Sequence, residues 1–573
     1  MTNSEIAEIF LDMADLLEMK NDNPFKIRAY RRAAESIKQL PREMKAMLAA
    51  GEDFREIPGV GEAVATKSEE LLRTGRLAAY EDLKAAMPAG VLDLMAVPGV
   101  GPKTAYRLAA ELGIRSVDDL ERAASDGRIA ALPHLGEKTA EKILREILAL
   151  RRKDRRYPLG TALPAAEEIL AALRKVPGVR NITPAGSLRR FRETVGDIDI
   201  MATADDPETA IAAFAGLPQV AEVLARGTTK ASVLLAGNLQ ADMRIVAHES
   251  FGSLLQHFTG SRDHNIALRA FAQKMGLSLS EYGIADDMGK IETFTDEASF
   301  YGRLGLSFIP PEVRENQGEI DLAARAMLPR LLKAGDIRGD FHTHSNWSDG
   351  QATIEEMAAA AEALGYEYLV VTDHSAGLGI ANGLAADRLR DQAAHIRAVN
   401  GARKRTRLLA GVEVNIRADG RLALPDEALA ELDVVVAAVH SSLDQNEQKM
   451  TRRIVAALEN PHVDILAHPT SRLIGRREPA NLDMEAVLAA AARFGKALEI
   501  NAMPDRLDLN GAHIRQARER GVMLAIGTDA HAAAHLSLMR FGVGTARRGW
   551  CGSENVLNTR SLGDVLAWLR KPA

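Results

Sequence analysis

A single cysteine, Cys551, stands among 573 residues. That excludes disulfides within the chain and leaves no thiolate set for a metal. Aromatic residues are scarce, at 4% against 46% hydrophobic overall, the balance of an ordinary soluble chain rich in Ala and Leu. Basic excess is missing too. The net charge is −6, and residues 1–160 carry as many acids as bases. No global positive field announces a polyanionic partner, so any such contact must come from local patches. The run Arg151-Arg152-Lys153-Asp154-Arg155-Arg156 is one candidate; a solvated linker over 151–160 is the other reading of it. No apolar run approaches the length of a membrane span. The N-terminus, MTNSEIAEIFLDMADLLEM, is acidic, and Ile6, Ile9, Phe10, Met13, Leu16 and Leu17 lie on one helical stripe. It is not a signal peptide. A cytoplasmic protein without membrane contact is expected, built from three or more domains because the chain is too long for one core.

What is present is concentrated in three places. The first is residues 186–200, GSLRRFRETVGDIDI. If the end of that run is a strand, Asp197 and Asp199 share one face while Ile198 and Ile200 point into the protein. Two acids on one face repel unless a cation sits between them, and Mg²⁺ with phosphate oxygens is the usual answer. Just upstream, Gly186, Ser187, Arg189, Arg190 and Arg192 offer backbone N–H groups, a hydroxyl and guanidinium forks, the groups that hold polyphosphate. A phosphoryl donor needs both elements at once. Downstream, Ser232–Val246 reads as a β-hairpin turning at Gly237-Asn238, and its returning strand presents a third acid, Asp242. A helix is expected over 164–175.

The second place is a repeated turn. Ile57-Pro58-Gly59-Val60-Gly61 recurs as Val97-Pro98-Gly99-Val100-Gly101 and, more loosely, as Leu132-Pro133-His134-Leu135-Gly136, about 40 residues apart. Each opens a helix. Its glycines allow a tight turn and let backbone N–H groups face outward, an anion nest at a helix N-terminus. This is similar to the helix-hairpin-helix motif, which grips a DNA backbone without reading bases.

The third place is residues 337–573, which hold ten of the fourteen histidines. Seven short apolar runs recur there, and six end at metal-type residues: His342 and His344; His374; Glu413; His440; His468; and Asp529 with His531. The sixth run in order, Ala497-Leu498-Glu499-Ile500, needs no ligand. Strands alternating with Ala-rich helical stretches imply a closed α/β barrel, whose functional residues gather at the C-terminal strand ends. With Asp349, that rule brings nine N and O donors to one mouth, a set suited to Zn²⁺, Mn²⁺ or Fe. His462, His513 and His535 fall outside the pattern and read as structural. Asp373 and Asn501 are candidate supporting partners.

Together these motifs resemble the family X (DNA polymerase beta-like) DNA polymerases of bacteria that carry a C-terminal polymerase-and-histidinol-phosphatase (PHP) domain. The resemblance implies a multidomain α and α/β fold: a helix-hairpin-helix lyase-like domain at 1–85, a second helix-hairpin-helix domain binding duplex at 86–157, a nucleotidyltransferase palm at 158–250, a nucleotide-selection subdomain at 251–318, a helical connector at 319–336, and a distorted seven-stranded PHP barrel at 337–573. It implies a gap-filling polymerase in base-excision repair with a 3′→5′ exonuclease, to which cleavage at abasic sites or of 3′-phosphates would be added. The partners implied are gapped or primer-template DNA and a dNTP, bound by a monomer.

Site residues follow from the same resemblance. Asp197, Asp199 and Asp242 would hold Mg²⁺ or Mn²⁺, with Asp242 relaying the primer hydroxyl proton. Gly186, Ser187, Arg190 and Gly196 would meet the triphosphate. In the string Phe258-Thr259-Gly260-Ser261-Arg262-Asp263-His264-Asn265, Phe258 would lie against the sugar, Gly260 would contact the nucleotide, Asn265 would meet the base edge, and Arg269 the template. His257 stands where vertebrate members have Tyr. Gly59, Gly61, Gly99, Gly101, Lys26 and Tyr30 would contact DNA, and Lys67 falls at the lyase Schiff-base position, although Ala63 replaces a family lysine. A surface helix lysine is the competing reading of Lys67. In the barrel, up to three Zn²⁺, Mn²⁺ or Fe ions are implied: one on His342, His344 and Asp529; one on His440 and His468, with Glu413 bridging; one on Asp349, His374 and His531. Two other readings stay open. One is a small-molecule phosphatase of the PHP family fused to a DNA-binding arm. The other is a non-catalytic DNA scaffold.

Overall fold

The computed structural model describes residues 1–40, 43–133, 135–377, 381–403 and 405–569. His134, in the third turn, lies outside them. The chain forms two compact units, Met1–Arg155 and Arg156–Ala573.

The first unit is helical. Its opening helix, Asn3–Met19, starts at a capping box in which Thr2 and Glu5 satisfy each other's backbone N–H groups. The apolar stripe read from the sequence is its buried face. Ile6, Phe10, Met13 and Leu17 pack on Ile27, Tyr30, Ala34 and Ile37 of helix Pro24–Gln39. Leu16 and Met19 turn instead into a second core with Val91, Leu94, Leu108 and Ile143. One helix therefore serves both cores, and burying each such side chain contributes about 1.5–3 kcal/mol. The repeated turns share one hydrogen bond: Val60 N to Ile57 O, Val100 N to Val97 O, and Leu135 N to Leu132 O, at 3.0, 3.0 and 3.1 Å. Gly59 and Gly99 sit at φ +88° and +86°, a region L side chains avoid. The expected linker over 151–160 contains the boundary between the two units, but little of it is irregular: helix Glu137–Asp154 runs into it, and Tyr157–Pro158 form a strand paired with Thr194–Val195. Tyr157 is buried, with its hydroxyl on Asn238 O at 2.6 Å, so an aromatic residue anchors what the charge pattern suggested was solvated.

The second unit begins with a five-stranded sheet, ordered Val179–Pro184, Asp197–Ala204, Gln240–Ile245, Lys230–Leu235, Val220–Arg226. The pairing of Asp197–Ala204 with Gln240–Ile245 is parallel and sets Asp199 opposite Asp242. The helix expected at 164–175 spans Leu159–Leu173, with Pro164 inside it; the proline suggested a start, but the chain is already helical from the residue after Pro158. Gly237 and Asn238 both have positive φ, as a two-residue hairpin turn requires. Helices Phe251–Thr259 and Arg262–Gln273 follow, then a small three-stranded sheet and helix Glu297–Arg303, around a core of Leu268, Phe300 and Tyr301. The connector is helical over Glu319–Ala324 and again, as a 3₁₀ turn, over Ala334–Asp336.

The remainder is one sheet of seven parallel strands in sequential order: Gly339–Thr343, Tyr368–Val371, Arg407–Asn415, Val434–Ala438, Ile465–Leu466, Ala497–Asn501 and Leu524–Gly527. The first and last approach through His344 N to Ala530 O, 2.8 Å, and Asp529 N to His342 O, 2.9 Å. Nearly every strand residue is buried, as parallel strands covered on both faces require. The barrel and the five-stranded sheet share one hydrophobic core. Phe191 packs so closely on Gly544 that a Cβ there would lie 2.1 Å from the ring.

Candidate active sites

On the five-stranded sheet, carboxylate oxygens of Asp197, Asp199 and Asp242 all lie within 4.8 Å of one another. Ile198 and Ile200 are fully buried beneath them, so the alternation read from the sequence orients the acids. Burial, then the neighbouring charges of Asp197 and Asp242, push the Asp199 carboxyl up to about 7. Asp197 is raised by burial and by Asp242. Asp242 is held by the Ser232 hydroxyl and by Gln240 Nε2, 2.9 Å away. Three mutually repelling acids, with no lysine or arginine bonded to them among the described residues, are a fit donor set for a divalent cation.

The loop before the acids starts at Gly186, φ +58°, where a Cβ would fall 2.3 Å from Asp199 Oδ2. Only a glycine lets the backbone come so near. Ser187 and Gly196 are partly exposed on this loop. Arg190 is tied elsewhere: it donates to Thr259 O at 2.5 Å and to Glu315 at 3.2 Å, which leaves it beside Gly260. Arg189 makes a forked pair with Glu297 at 3.0 and 2.6 Å. Asn265 spends both ends of its amide on His257 O and Gln256. Phe258 lies under the Arg244 guanidinium, 4.6 Å from ring centroid to carbon, and beside the His257 ring. Arg269 is exposed.

In the first unit, Gly61 and Gly101 are the N-caps of helices Glu62–Thr74 and Pro102–Leu112, with no side chain bonded to the helix N–H groups. Lys67 lies on the first of these helices, half-buried, with Nζ 3.4 Å from Ala63 O. Lys26 is exposed and pairs with Asp22 at 3.5 Å. Tyr30 stacks on Phe10 and is buried in the core.

At the barrel mouth the nine donors converge. Glu413 is the hub: Oε1 lies 3.0 Å from Nε2 of both His440 and His468, and Oε2 lies 2.7, 3.6 and 3.7 Å from His374, His342 and His344. His344 Nε2 is 3.2 Å from Asp529. Asp349 stands 3.5 Å from His374 and from His531. Ligand atoms group as His344, Asp349, His374 and His531; as His342, His344 and Asp529; and as His374, Glu413 and His440. His344 and His374 each join two groups, so the arrangement is more continuous than three separate triplets.

Two features show that this set fits metal ions. His344 Nδ1 is buried without a hydrogen bond, and His374 Nδ1 and Glu413 Oε2, 2.7 Å apart, are buried and not aligned to make one, a cost a bound cation removes. The electrostatics are also those of a paired cluster. Burial opposes ionisation of Glu413, but His440, His374 and His342 hold it well below the usual carboxylate range. Asp529 is held low by His342 and His344 against burial.

The sixth strand, expected to need no ligand, supplies Glu499, which stands behind the ligands without joining any ligand group. Its Oε1 is 2.6 Å from His342 Nδ1, and its Oε2 accepts the His468 N–H at 2.6 Å. Asn415 binds His440 Nδ1 at 2.5 Å, and Asp340 is fixed by Thr528. The available signal was charge inside a buried strand, which is tolerated only when paired. Asn501 reaches Asp529 at 3.1 Å, and Asp373 collects Ser345, Ser348 and Gln392. His535 Nδ1 accepts from His531 N at 3.3 Å, touching the cluster.

Family models match the chain in four stretches: a helix-hairpin-helix domain over residues 1–77, a SAM-like helix-hairpin-helix tandem over 91–147, a DNA polymerase beta thumb over 254–315, and a PHP domain over 340–503. These define a DNA polymerase of the beta class joined to a PHP barrel. The chain is 41% identical over 574 residues, all of both chains, to the DNA polymerase/3′-5′ exonuclease PolX of Bacillus subtilis (strain 168). It belongs to that family, the family X DNA polymerases with a C-terminal PHP domain. A probable phosphatase of Thermoanaerobacter sp. (strain X514) is 31% identical over 245 residues, 40% of this chain and 94% of that one. Another, of Shewanella sp. (strain ANA-3), is 31% identical over 208 residues, 34% and 77%.

Proposed function

We propose that the chain is a DNA-directed DNA polymerase and a 3′→5′ exonuclease, the first activity on the five-stranded sheet and the second at the barrel mouth. The observation that carries it is the pair of separate cation-type clusters, Asp197/Asp199/Asp242 and the nine barrel donors, in a chain alike from end to end to a protein named for both activities. Divalent ions, Mg²⁺ or Mn²⁺ on the sheet and Zn²⁺, Mn²⁺ or Fe in the barrel, supply charge neutralisation at phosphorus and ease deprotonation of the attacking oxygen.

The chain's own groups do the rest. Asp242, oriented by Ser232 and Gln240, takes the primer 3′-hydroxyl proton. Gly186, Ser187 and Gly196 present N–H and O–H donors to the dNTP triphosphate, and Arg190 joins them by leaving Glu315. Phe258 borders the sugar, with His257 beside it, and Gly260 contacts the nucleotide. Asn265 faces the base edge and Arg269 the template. Gly59, Gly61, Gly99 and Gly101 open N–H groups to the backbone of gapped or primer-template DNA. Lys26 adds charge there. Tyr30 supports it through packing. A monomer filling short gaps in repair, in the cytoplasm, suits this equipment. Primer extension and 3′-end degradation followed on one labelled gapped duplex, with metal content measured alongside, test the reading; a chain that hydrolysed p-nitrophenyl phosphate but did neither would be the phosphatase of the competing reading.

A third activity is proposed at Lys67: 5′-deoxyribose-phosphate lyase. Its placement six residues beyond the Gly61 nest sets an amine near a bound 5′-phosphate. Borohydride should trap the protein on an abasic 5′-end. Undiminished trapping in Lys67→Ala removes the assignment.

A further inference from the structure

One guanidinium at the barrel mouth has only a loose ion pair to a ligand carboxylate and makes no side-chain hydrogen bond among the described residues. Arg506 follows the sixth strand. Its Nε is 3.7 Å from Asp529 Oδ2, beyond hydrogen-bond reach, and that oxygen already accepts from Asn501. Its NH1 is buried with no acceptor, while the side chain as a whole keeps 18% exposure. Arg477 lies close by: burial first, then the Arg506 charge, holds its guanidinium below the ordinary arginine range, and the Asp505 carboxylate offsets only part of this. Like charges side by side with an unpaired N–H are costly unless an anion joins them.

The loop carrying Arg506 is pinned. Arg472 donates to Arg506 O at 2.9 Å and Leu507 O at 2.5 Å. Ile474 N meets Asp505 O at 2.7 Å, and Asn501 N meets Asp508 O at 2.6 Å. A charged group placed this firmly beside a proposed ligand, and left short of acceptors, is arranged for a substrate oxygen.

We infer that Arg506 is a catalytic residue of the nuclease that binds a non-bridging oxygen of the scissile phosphate. The inference rests on the exonuclease reading. Water oxygen bonds to phosphorus, the P–O3′ bond breaks, and the penultimate 3′-oxygen takes up a proton as a nucleoside 5′-monophosphate leaves. Arg506 exchanges no proton or electron; it stabilises the charge that grows on the non-bridging oxygens.

The test uses the full chain, Arg506→Gln and Arg506→Lys, and single-stranded DNA whose terminal linkage is phosphodiester or methylphosphonate. Binding is read by fluorescence anisotropy in EDTA, and turnover with metal restored. Arg506→Gln should lower kcat about 10²-fold, the scale for losing one transition-state donor, with metal content and primer extension unchanged, and Arg506→Lys should recover part of the loss. In EDTA the wild type should bind the methylphosphonate end several-fold more weakly, whereas Arg506→Gln should not distinguish the two ends. Equal discrimination by both proteins, unchanged kcat, or loss of metal from Arg506→Gln each overturns the role. A wild type that does not degrade 3′-ends at all overturns the exonuclease reading instead.

Discussion

The sheet cluster and the barrel mouth, both proposed to act at phosphorus, balance their charge in opposite ways. On the sheet, burial and the charges of Asp197 and Asp242 outweigh Arg244 and Arg190 and push Asp199 up to about 7. In the barrel acids and imidazoles alternate. Burial would raise Asp349, yet His531, His374 and His344 bring it down to about 2. Burial would lower His531, yet Asp349 and Asp529 carry it up to about 9. The barrel mouth is thus neutralised from within, while the sheet acids keep an uncompensated charge that the proposed Mg²⁺ or Mn²⁺ would meet. Acids paired with imidazoles and acids left facing one another are two answers to one Coulomb problem.

The largest effects that could break this comparison come from removing one site at a time. Asp199→Ala should cut primer extension at least ~10³-fold and leave 3′-end degradation untouched. His344→Ala should do the reverse. Loss of both activities in either variant would mean that the two clusters do not work separately. A smaller effect is expected at Glu499, which touches His342 and His468 without joining any of the ligand groups. Glu499→Gln should weaken barrel metal affinity about 10–100-fold, read by chelator competition, with extension preserved. An unchanged affinity would show that Glu499 serves packing alone.

Both sites were legible because short-range periodicity dictates them. Alternation in a strand puts Asp197 and Asp199 on one face, and the rule that barrel strands end at the functional mouth gathers residues as distant as His342 and His531. What the sequence hid depends on contacts across the fold. Glu499 sits in an apolar run and looks like an ordinary strand glutamate until His342 is folded against it. Arg190 carries a phosphate-binding motif, but Glu315 and Thr259, from a later subdomain, decide where its guanidinium rests. The run at 151–160 looked solvated because its charges are local, while Tyr157 is anchored by the distant hairpin turn at Asn238. Tyr30 matches a DNA-contact pattern, yet the opening helix claims its ring.

The subtlest difference is in how metal-free stability follows pH. Asp199 is protonated more readily folded than unfolded, so the wild type is favoured below the unfolded carboxylate range and loses that advantage as pH rises through about 7. Asp199→Asn should escape the loss. In EDTA its Tm should match the wild type near pH 4 and exceed it by about 1–3 °C at pH 8. His531 also has a raised value, but as a base: its pairing with Asp349 is fully stabilising below the unfolded histidine range and lost as pH rises through about 9. His531→Asn should therefore melt below the wild type at pH 6 and converge on it above pH 9. Paired scans of the two variants would place one crossover in the acid window and the other in the alkaline one. Coinciding windows would mean that both sites balance charge in the same way, and the contrast between a self-neutralised barrel and an uncompensated sheet would fail.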